Sequence, residues 1–278
     1  MSFDPADLPP APELAALLGL AERLAEAAGA AVLPSFRAEA LEVEDKRLRG
    51  VFDPVTEADK AGERAIRALL EAERPEDSIW GEEYGRKAGT SGYEWILDPI
   101  DGTRAFICGL AHWGILIGLY WRGRPVAGVI GQPYLGEVFS ARLGGGAFLS
   151  RGGEGRALRT RPCAALGEAV MFTTDPRIFD AVAGERAAYD ALERSVRLAR
   201  YGADCYGYAM VAAGQADLVV ESGLSTYDVA ALIPILTEAG GVITDWRGGD
   251  CSQGGRVVAA GDARLHALAV AELSRLAF

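Results

Sequence analysis

The chain is poor in the residues that build thiol and soft-metal chemistry. Its 278 residues include two histidines, His112 and His266, and four cysteines, Cys108, Cys163, Cys205 and Cys251, with no Cys-x-x-Cys pair. That supply cannot furnish a zinc set and offers no defensible Cys/His catalytic pair. The thiols are expected to be reduced, as in a cytosolic protein. Long apolar runs are missing too: the longest uncharged one, Trp113–Trp121, falls far short of the roughly 20 residues of a membrane span. Positive charge is scarce, with 28 Lys and Arg against 39 Asp and Glu and a net charge of −11. Nucleic acid is therefore not expected as the main partner, because neutralising phosphates takes clustered Lys and Arg. Cation binding or a cationic substrate is compatible with this balance, and so is a solvated acidic surface. The N-terminal MSFDPADLPPAPE is acidic and proline-rich, unlike a signal peptide. The expectation is a soluble cytoplasmic protein with no membrane partner, no internal repeat and no low-complexity tract.

What is present reads as a globular α/β protein. Half the residues are hydrophobic, 24% are charged and 35 are glycines, which implies many tight turns. The length exceeds one ordinary core, so one large domain or two is expected. A Gly- and Arg-rich stretch, Arg151–Pro162, divides the chain into an N-terminal α+β part (1–155) and a C-terminal α/β part (156–278). After a loose proline-rich lead over residues 1–12, Leu14, Leu17, Leu18, Ala21, Leu24, Ala25 and Ala28 predict an amphipathic helix ending near Gly29. Pro34 interrupts, and a short helical or irregular piece follows to about Leu41. Thr56 and Asp59 resemble a capping pair opening a helix with Ala65, Ile66, Leu69 and Leu70 on its apolar face. Strands are predicted at Ser78–Trp80 and Tyr93–Leu97. An antiparallel meander follows over Trp113–Trp121, Val126–Ile130, Glu137–Ala141 and Ala147–Ser150. Beyond residue 162 strands and helices alternate, including helices at Asp204–Ala213, Tyr227–Ala239 and 262–276, which indicates α/β layering.

The most informative stretch is EWILDPIDGTRAFICG, residues 94–109. Pro99 restricts Asp98 to extended geometry, and Gly102 permits close backbone approach. Such a bend can aim Asp98, Asp101 and a carbonyl at one point, as a hard cation such as Mg²⁺ requires. An Asp-rich turn is the plain alternative. Further acids at element ends are Asp53, Glu82 and Asp228, although Asp228 alone reads as a helix cap. Adjacent strands could bring Glu82 beside Asp98. As one site, these carboxylates need two or three divalent ions, which leave room for a phosphate. Gly102 and Thr103 would offer N–H groups and a hydroxyl to that phosphate. The chemistry so described is metal-assisted hydrolysis of a phosphate monoester.

The segments DPVTEAD (53–59), GEE (81–83), WILDPIDGT (95–103) and YDVAALIPILTEAGG (227–241) resemble the four signature blocks of the inositol monophosphatase superfamily, in its order and spacing. The resemblance implies a five-layer α-β-α-β-α sandwich, Mg²⁺ dependence with two to three ions per site, a small phosphorylated substrate and a homodimer. It implies Glu82, Asp98, the Ile100 carbonyl, Asp101 and Asp228 as metal ligands, with Asp53, Glu82 and Thr103 activating the water. The haloacid dehalogenase phosphatases carry DxDGT, against DxxDGT here, so no phosphorylated side chain is implied.

Three departures resemble the histidinol-phosphate phosphatases of that superfamily: Arg104-Ala105-Phe106 after DGT, Tyr227-Asp228 in the last block, and Asp204 in RYGADCYGYA (200–209). Gly128–Pro133 and Thr173-Thr174 agree with them. The implied substrate contacts are Asp101, Gly102, Thr103, Arg104, Asp204, Glu221 and Asp228, with Asp204 and Glu221 suited to a cationic leaving group. A helix N-cap is the alternative for Asp204, and a surface ion pair for Arg104. The implied activity is a histidinol-phosphatase of histidine biosynthesis. An inositol-1-monophosphatase or broad sugar phosphatase is the alternative, and an interaction protein on the same fold the non-enzymatic one.

Overall fold

The apolar stripe of the first amphipathic stretch needs a surface to cover, and the computed structural model shows that surface to be a sheet. Residues 8–39, 42–45 and 54–277 are described. Helix α1, Ala11–Val32, buries Leu14, Leu17, Leu20, Ala21, Leu24, Ala25 and Ala28. Each leucine buried there contributes about 1.5–3 kcal/mol relative to exposure. The helix continues past Gly29, its expected end, because that glycine serves packing: a Cβ there would lie 2.9 Å from Pro133. The helix gives way at Pro34 to a 3-10 turn, Leu33–Ser35. Residues 1–7 of the lead expected over 1–12, and the end of the piece near Leu41, lie outside the described residues, while α1 already takes in Ala11 and Pro12. A short antiparallel pair, β1 (Val43–Asp45) and β2 (Pro54–Thr56), leads into α2 (Glu57–Glu73), which starts at Thr56 as expected.

Eight strands form the first sheet: β3 (Ser78–Gly81), β4 (Gly85–Lys87), β5 (Tyr93–Asp101), β6 (Gly114–Trp121), β7 (Arg124–Gln132), β8 (Glu137–Arg142), β9 (Gly146–Arg151) and β10 (Glu154–Ala157). Their order is β10-β9-β8-β7-β6-β5-β3-β4, and the meander from β5 to β10 is antiparallel throughout. Only β3 and β5 run parallel. One difference from expectation matters. Strand β5 does not stop at Leu97 but carries the acids to Asp101, because a bulge sets Pro99 and Ile100 against one residue of β6 between Asp98↔Leu116 and Asp101↔Gly114. A bulge re-aims side chains without ending the ladder. Helix α3, Thr103–Ile107, follows directly.

The second half alternates as expected: β11 (Val170–Thr173), α4 (Glu185–Glu193), β12 (Leu198–Tyr201), α5 (Asp204–Ala212), β13 (Leu218–Leu224), α6 (Thr226–Val229), α7 (Leu232–Glu238), β14 (Val242–Thr244), β15 (Gly255–Ala260) and α8 (Ala263–Ala277). The five strands order as β12-β11-β13-β15-β14, parallel on one side and antiparallel on the other. The single helix expected over Tyr227–Ala239 is split at Ala230-Ala231. Pro234 has no N–H to return to the Ala230 carbonyl, which is where the ladder fails.

The layers stack as α1 and α2, the eight-stranded sheet, α5 to α7, the five-stranded sheet, and α4 with α8, with an apolar core filling the spaces between them. This is the five-layer α-β-α-β-α sandwich. Its middle contact is unusually close. Gly118 and Gly128 face each other across β6 and β7. A Cβ on Gly118 would lie 2.5 Å from the Ala230 Cβ, and one on Gly128 2.2 Å from the Ala231 carbonyl oxygen. The α6–α7 joint thus rests on bare backbone, which sets the depth of Asp228 above β5. No helix among the described residues is long and apolar enough to cross a membrane.

Candidate active site

The β5 bulge aims Asp98 inward, and local bonds then hold its carboxylate. Asp98 is 2% exposed, and its Oδ1 accepts the Ile100 N–H at 3.0 Å. Pro99 fits under α2, where a Cβ on Gly62 would lie 3.1 Å from it. Gly102, at φ +84°, turns the chain into α3, and the Thr103 hydroxyl donates to the Ile100 carbonyl at 3.0 Å. The next neighbour of this turn is Asp204, whose Cγ would lie 3.1 Å from a Cβ on Gly102.

Two acids reach the cleft from capping boxes. At the start of α6, Ser225 is the N-cap and its N–H donates to Asp228 Oδ2 at 2.6 Å. At the start of α2, Thr56 is the N-cap, with its N–H and hydroxyl on Asp59 Oδ2 at 2.8 and 2.7 Å. Capping and site-building are therefore not alternatives here. One oxygen satisfies the helix end while the carboxylate stays at the cleft. Asp98, Asp101 and Asp228 each offer an oxygen within 4.8 Å of the others, a set that could hold a hard cation. Glu82 joins from the neighbouring strand: Gly81 lies opposite Leu97, and the Glu82 N–H donates to the Leu97 carbonyl at 3.1 Å.

Burial raises the Asp98 carboxyl well above its ordinary range, and the charges of Glu82, Asp101, Asp228 and Asp59 raise it further. Asp101 is raised by burial as well, against the bond it accepts from the Cys205 N–H at 2.6 Å. Carboxylates collected this closely favour either protons or bound cations. The all-oxygen donor set suits Mg²⁺.

Two contributors escaped the sequence. Asp53 lies outside the described residues. Asp59, expected only as a cap, is 1% exposed, and its Oδ1 lies 3.5 Å from the Thr103 hydroxyl. Glu63 is fully buried. It accepts the N–H groups of Glu83 and Tyr84 at 2.7 and 3.2 Å and pairs with Arg67 at 2.7 Å. Gly81 makes room for it, since a Cβ there would lie 1.9 Å from the Glu63 carboxylate. This clamp fixes the turn that carries Glu82. A glutamate between Gly62 and Ile66 on the buried face of a helix was its one signal.

The other end of the cleft holds Asp204 and Glu221, with Arg104 at its rim. Asp204 opens α5 at φ +43°, where only Gly, Asn and Asp sit readily. The N-cap position is Ala203, with no side-chain bond, so the N-cap alternative for Asp204 does not hold. The helix end is instead satisfied by Asp101, through Cys205. Burial, and then the Asp101 charge, push the Asp204 carboxyl up to about 7, against the nearby Thr174 hydroxyl and the charge of Arg104. Glu221 is 2% exposed, and its Oε1 accepts the Thr174 N–H and hydroxyl at 2.7 and 3.0 Å. Arg104 is exposed, and its charge adds to the Arg177 hydrogen bond, the main cause, in lowering Asp175. The predicted residues thus sort into a cluster of Glu82, Asp98, Ile100, Asp101, Thr103 and Asp228 and a second wall of Asp204 and Glu221, with Gly102 between. The four cysteines are unpaired.

The profile of the Inositol monophosphatase family matches residues 13–277. The chain belongs to the inositol monophosphatase family. Phosphatases of this family act on small phosphorylated substrates and depend on metal, usually Mg²⁺. The chain is 38% identical over 272 residues to the chloroplastic bifunctional phosphatase IMPL2 of Arabidopsis thaliana, covering 94% of this chain and 76% of that one. It is 39% identical over 232 residues to the histidinol-phosphatase of Chlorobaculum parvum, covering 83% and 86%. Against the inositol-1-monophosphatase of Rhizobium meliloti the identity is 37% over 208 residues, covering 73% and 76%. A solved inositol monophosphatase from Zymomonas mobilis superposes with a TM-score of 0.82 at 40% identity, covering 96% of this chain and all of that one.

Proposed function

We propose that this family member is an Mg²⁺-dependent histidinol-phosphatase, converting L-histidinol phosphate to L-histidinol in histidine biosynthesis. The observation that carries the substrate is a pair of carboxylates, half-buried Asp204 and buried Glu221, that line one small cleft together with Asp101 and Asp228 of the metal-type cluster. Histidinol phosphate bears an ammonium and an imidazole where inositol phosphate bears neutral hydroxyls. In a poorly solvated cleft, charge-assisted bonds to those nitrogens are worth more than surface pairs. The similarity to histidinol-phosphatases supports the same reading.

Asp98, Asp101, Asp228, Glu82 and the Ile100 carbonyl would hold two or three Mg²⁺ ions. Bound there, the ions supply an acidified water and offset the charge of the leaving oxygen. The chain's own part is to orient and to move protons. Thr103 Oγ1, whose own proton lies on the Ile100 carbonyl at 3.0 Å, is free to accept a hydrogen bond from the attacking water, and a turn of the hydroxyl toward Asp59 Oδ1, 3.5 Å away, would carry that proton on. Glu82 would complete the water's surroundings, and Asp53 has the same task by family resemblance alone. Gly102 and Thr103 present N–H groups to the phosphate, and Arg104 offers a charge at the rim.

The test is phosphate release from L-histidinol phosphate, inositol 1-phosphate and glycerol 2-phosphate, with Mg²⁺ and with EDTA. Mg²⁺-dependent preference for histidinol phosphate is expected. A preference for inositol 1-phosphate would establish the second reading, which the Rhizobium meliloti relative supports, and no turnover of any monoester would overturn the enzyme.

A further inference from the structure

Two polar atoms in the wall of the cleft have no hydrogen-bond partner among the described residues: the Tyr208 hydroxyl and Glu221 Oε2. Both side chains are buried, at 3% and 2% exposure, so neither atom is compensated by open solvent, and a buried polar group left unbonded is costly. Native interiors keep such atoms for a reason. Their surroundings point to a ligand. Tyr208 lies four residues after Asp204 on α5, so the two side chains share one face of the helix. That face and Glu221 of β13 line the same small cleft, which Asp101 and Asp228 also line. The other oxygen of Glu221 is committed to Thr174. Tyr208 and Glu221 are not bonded to each other, and between them they offer one O–H donor and one carboxyl oxygen; burial raises the Glu221 carboxyl well above its ordinary range, and a ligand N–H donating to Oε2 would favour its ionised form.

We propose that Tyr208 is a specificity-determining residue of this enzyme. Its hydroxyl donates to the unprotonated ring nitrogen of an imidazole on the leaving alcohol, while Glu221 Oε2 accepts the N–H of that ring. Neutral imidazole is an unusually good match because it carries one donor and one acceptor on a rigid frame. The ammonium group of the same molecule has no acceptor and falls to Asp204. The inference rests on the histidinol phosphate reading and adds to it the form in which the ring is held and the residue that reads it. A site built to hydrogen-bond a substrate group discriminates strongly against analogues that lack it.

Tyr208→Phe removes one oxygen and keeps the ring that packs in the core. In the full chain with Mg²⁺, the ratio of kcat/KM for L-histidinol phosphate to that for glycerol 2-phosphate should fall about tenfold or more, mostly through KM. Inhibition by the product L-histidinol should weaken by a similar factor. Thermal melting keeps account of any folding loss, which would lower both substrates together. Equal losses on both substrates, or an unchanged ratio while wild type still prefers histidinol phosphate, would overturn the role of Tyr208 alone. A wild-type enzyme without that preference would overturn the reading of the substrate and this inference with it.

Discussion

The two ends of the cleft are built by different means. At the acidic end three carboxylates are anchored by backbone within a few residues of themselves. Asp98 is held by the Ile100 N–H, Asp228 by Ser225 and Asp59 by Thr56. At the substrate end the anchors are distant in sequence. Glu221 is held by Thr174, and the start of α5 by Asp101, across 47 and 104 residues. Asp204 sits in left-handed backbone, and Tyr208 and Glu221 keep unbonded atoms. The first end can be shared by many phosphatases because its geometry travels with short motifs. The second depends on how two sheets and the helices between them are stacked, so substrate choice can change without disturbing the chemistry.

The sharpest way to separate the ends is Asp98→Asn. Turnover on every monoester should fall by more than about 10³-fold, as expected when charge that stabilises the transition state is lost. Metal-free protein should melt higher than wild type at neutral pH, because the fold no longer has to hold protonated a carboxyl that the unfolded chain would ionise. The melting increase on adding Mg²⁺ should shrink. Phosphate release and thermal melting with EDTA and with Mg²⁺ check all three.

Gly128→Ala tests whether the stacking serves both ends. A methyl group 2.2 Å from the Ala231 carbonyl must push the α6–α7 joint off the sheet. Overpacking of this kind costs about 3 kcal/mol, and displacing Asp228 should reduce activity on all substrates alike. Chemical denaturation and the same substrate panel measure the two effects. A selective loss on histidinol phosphate would instead tie this joint to the substrate wall.

Asp204→Asn is aimed at the substrate end alone, since Asn also tolerates left-handed backbone. A loss of about tenfold in kcat/KM is expected on histidinol phosphate, in keeping with one charged hydrogen bond of about 1.5–3 kcal/mol, and little on glycerol 2-phosphate. Comparable losses on both would make Asp204 a support for Gly102 instead.

The smallest effect concerns His266, away from both ends. Burial lowers its pKa, and its Nε2 lies 2.9 Å from the Thr244 hydroxyl. The unfolded chain takes up the proton near pH 6.5, while the folded one resists it to lower pH. Stability is therefore lost as pH falls from 7 toward 5. His266→Gln should flatten that part of the curve by well under the effect of Gly128→Ala, read from denaturation midpoints at each pH.

Much of the acidic end was legible in the sequence because its determinants are local. Pro99 and Gly102 flank the acids, and Glu82 follows a strand whose neighbour could be inferred. What remained hidden was where a local motif also serves a distant one. The Thr56–Asp59 box reads as a cap, and nothing in its spacing reveals that Asp59 ends 3.5 Å from Thr103. Glu63 reads as one more helix glutamate until Gly81 is found against it. The helix expected from Tyr227 to Ala239 breaks at Ala230-Ala231, where Pro234 withholds an N–H and bare glycine backbone allows the joint to settle.

The sequence by itself determined most helices and strands, the acidic inventory and the order of the blocks, since hydrophobic period, capping and proline geometry act over a few residues. Only the tertiary structure decided that Asp98, Asp101 and Asp228 share one point, that Asp204 is not a helix cap, and that Tyr208 and Glu221 each present an unbonded oxygen to one cleft. Those outcomes depend on the spacing between layers, which is set by packing across the whole core and by two glycines without side chains.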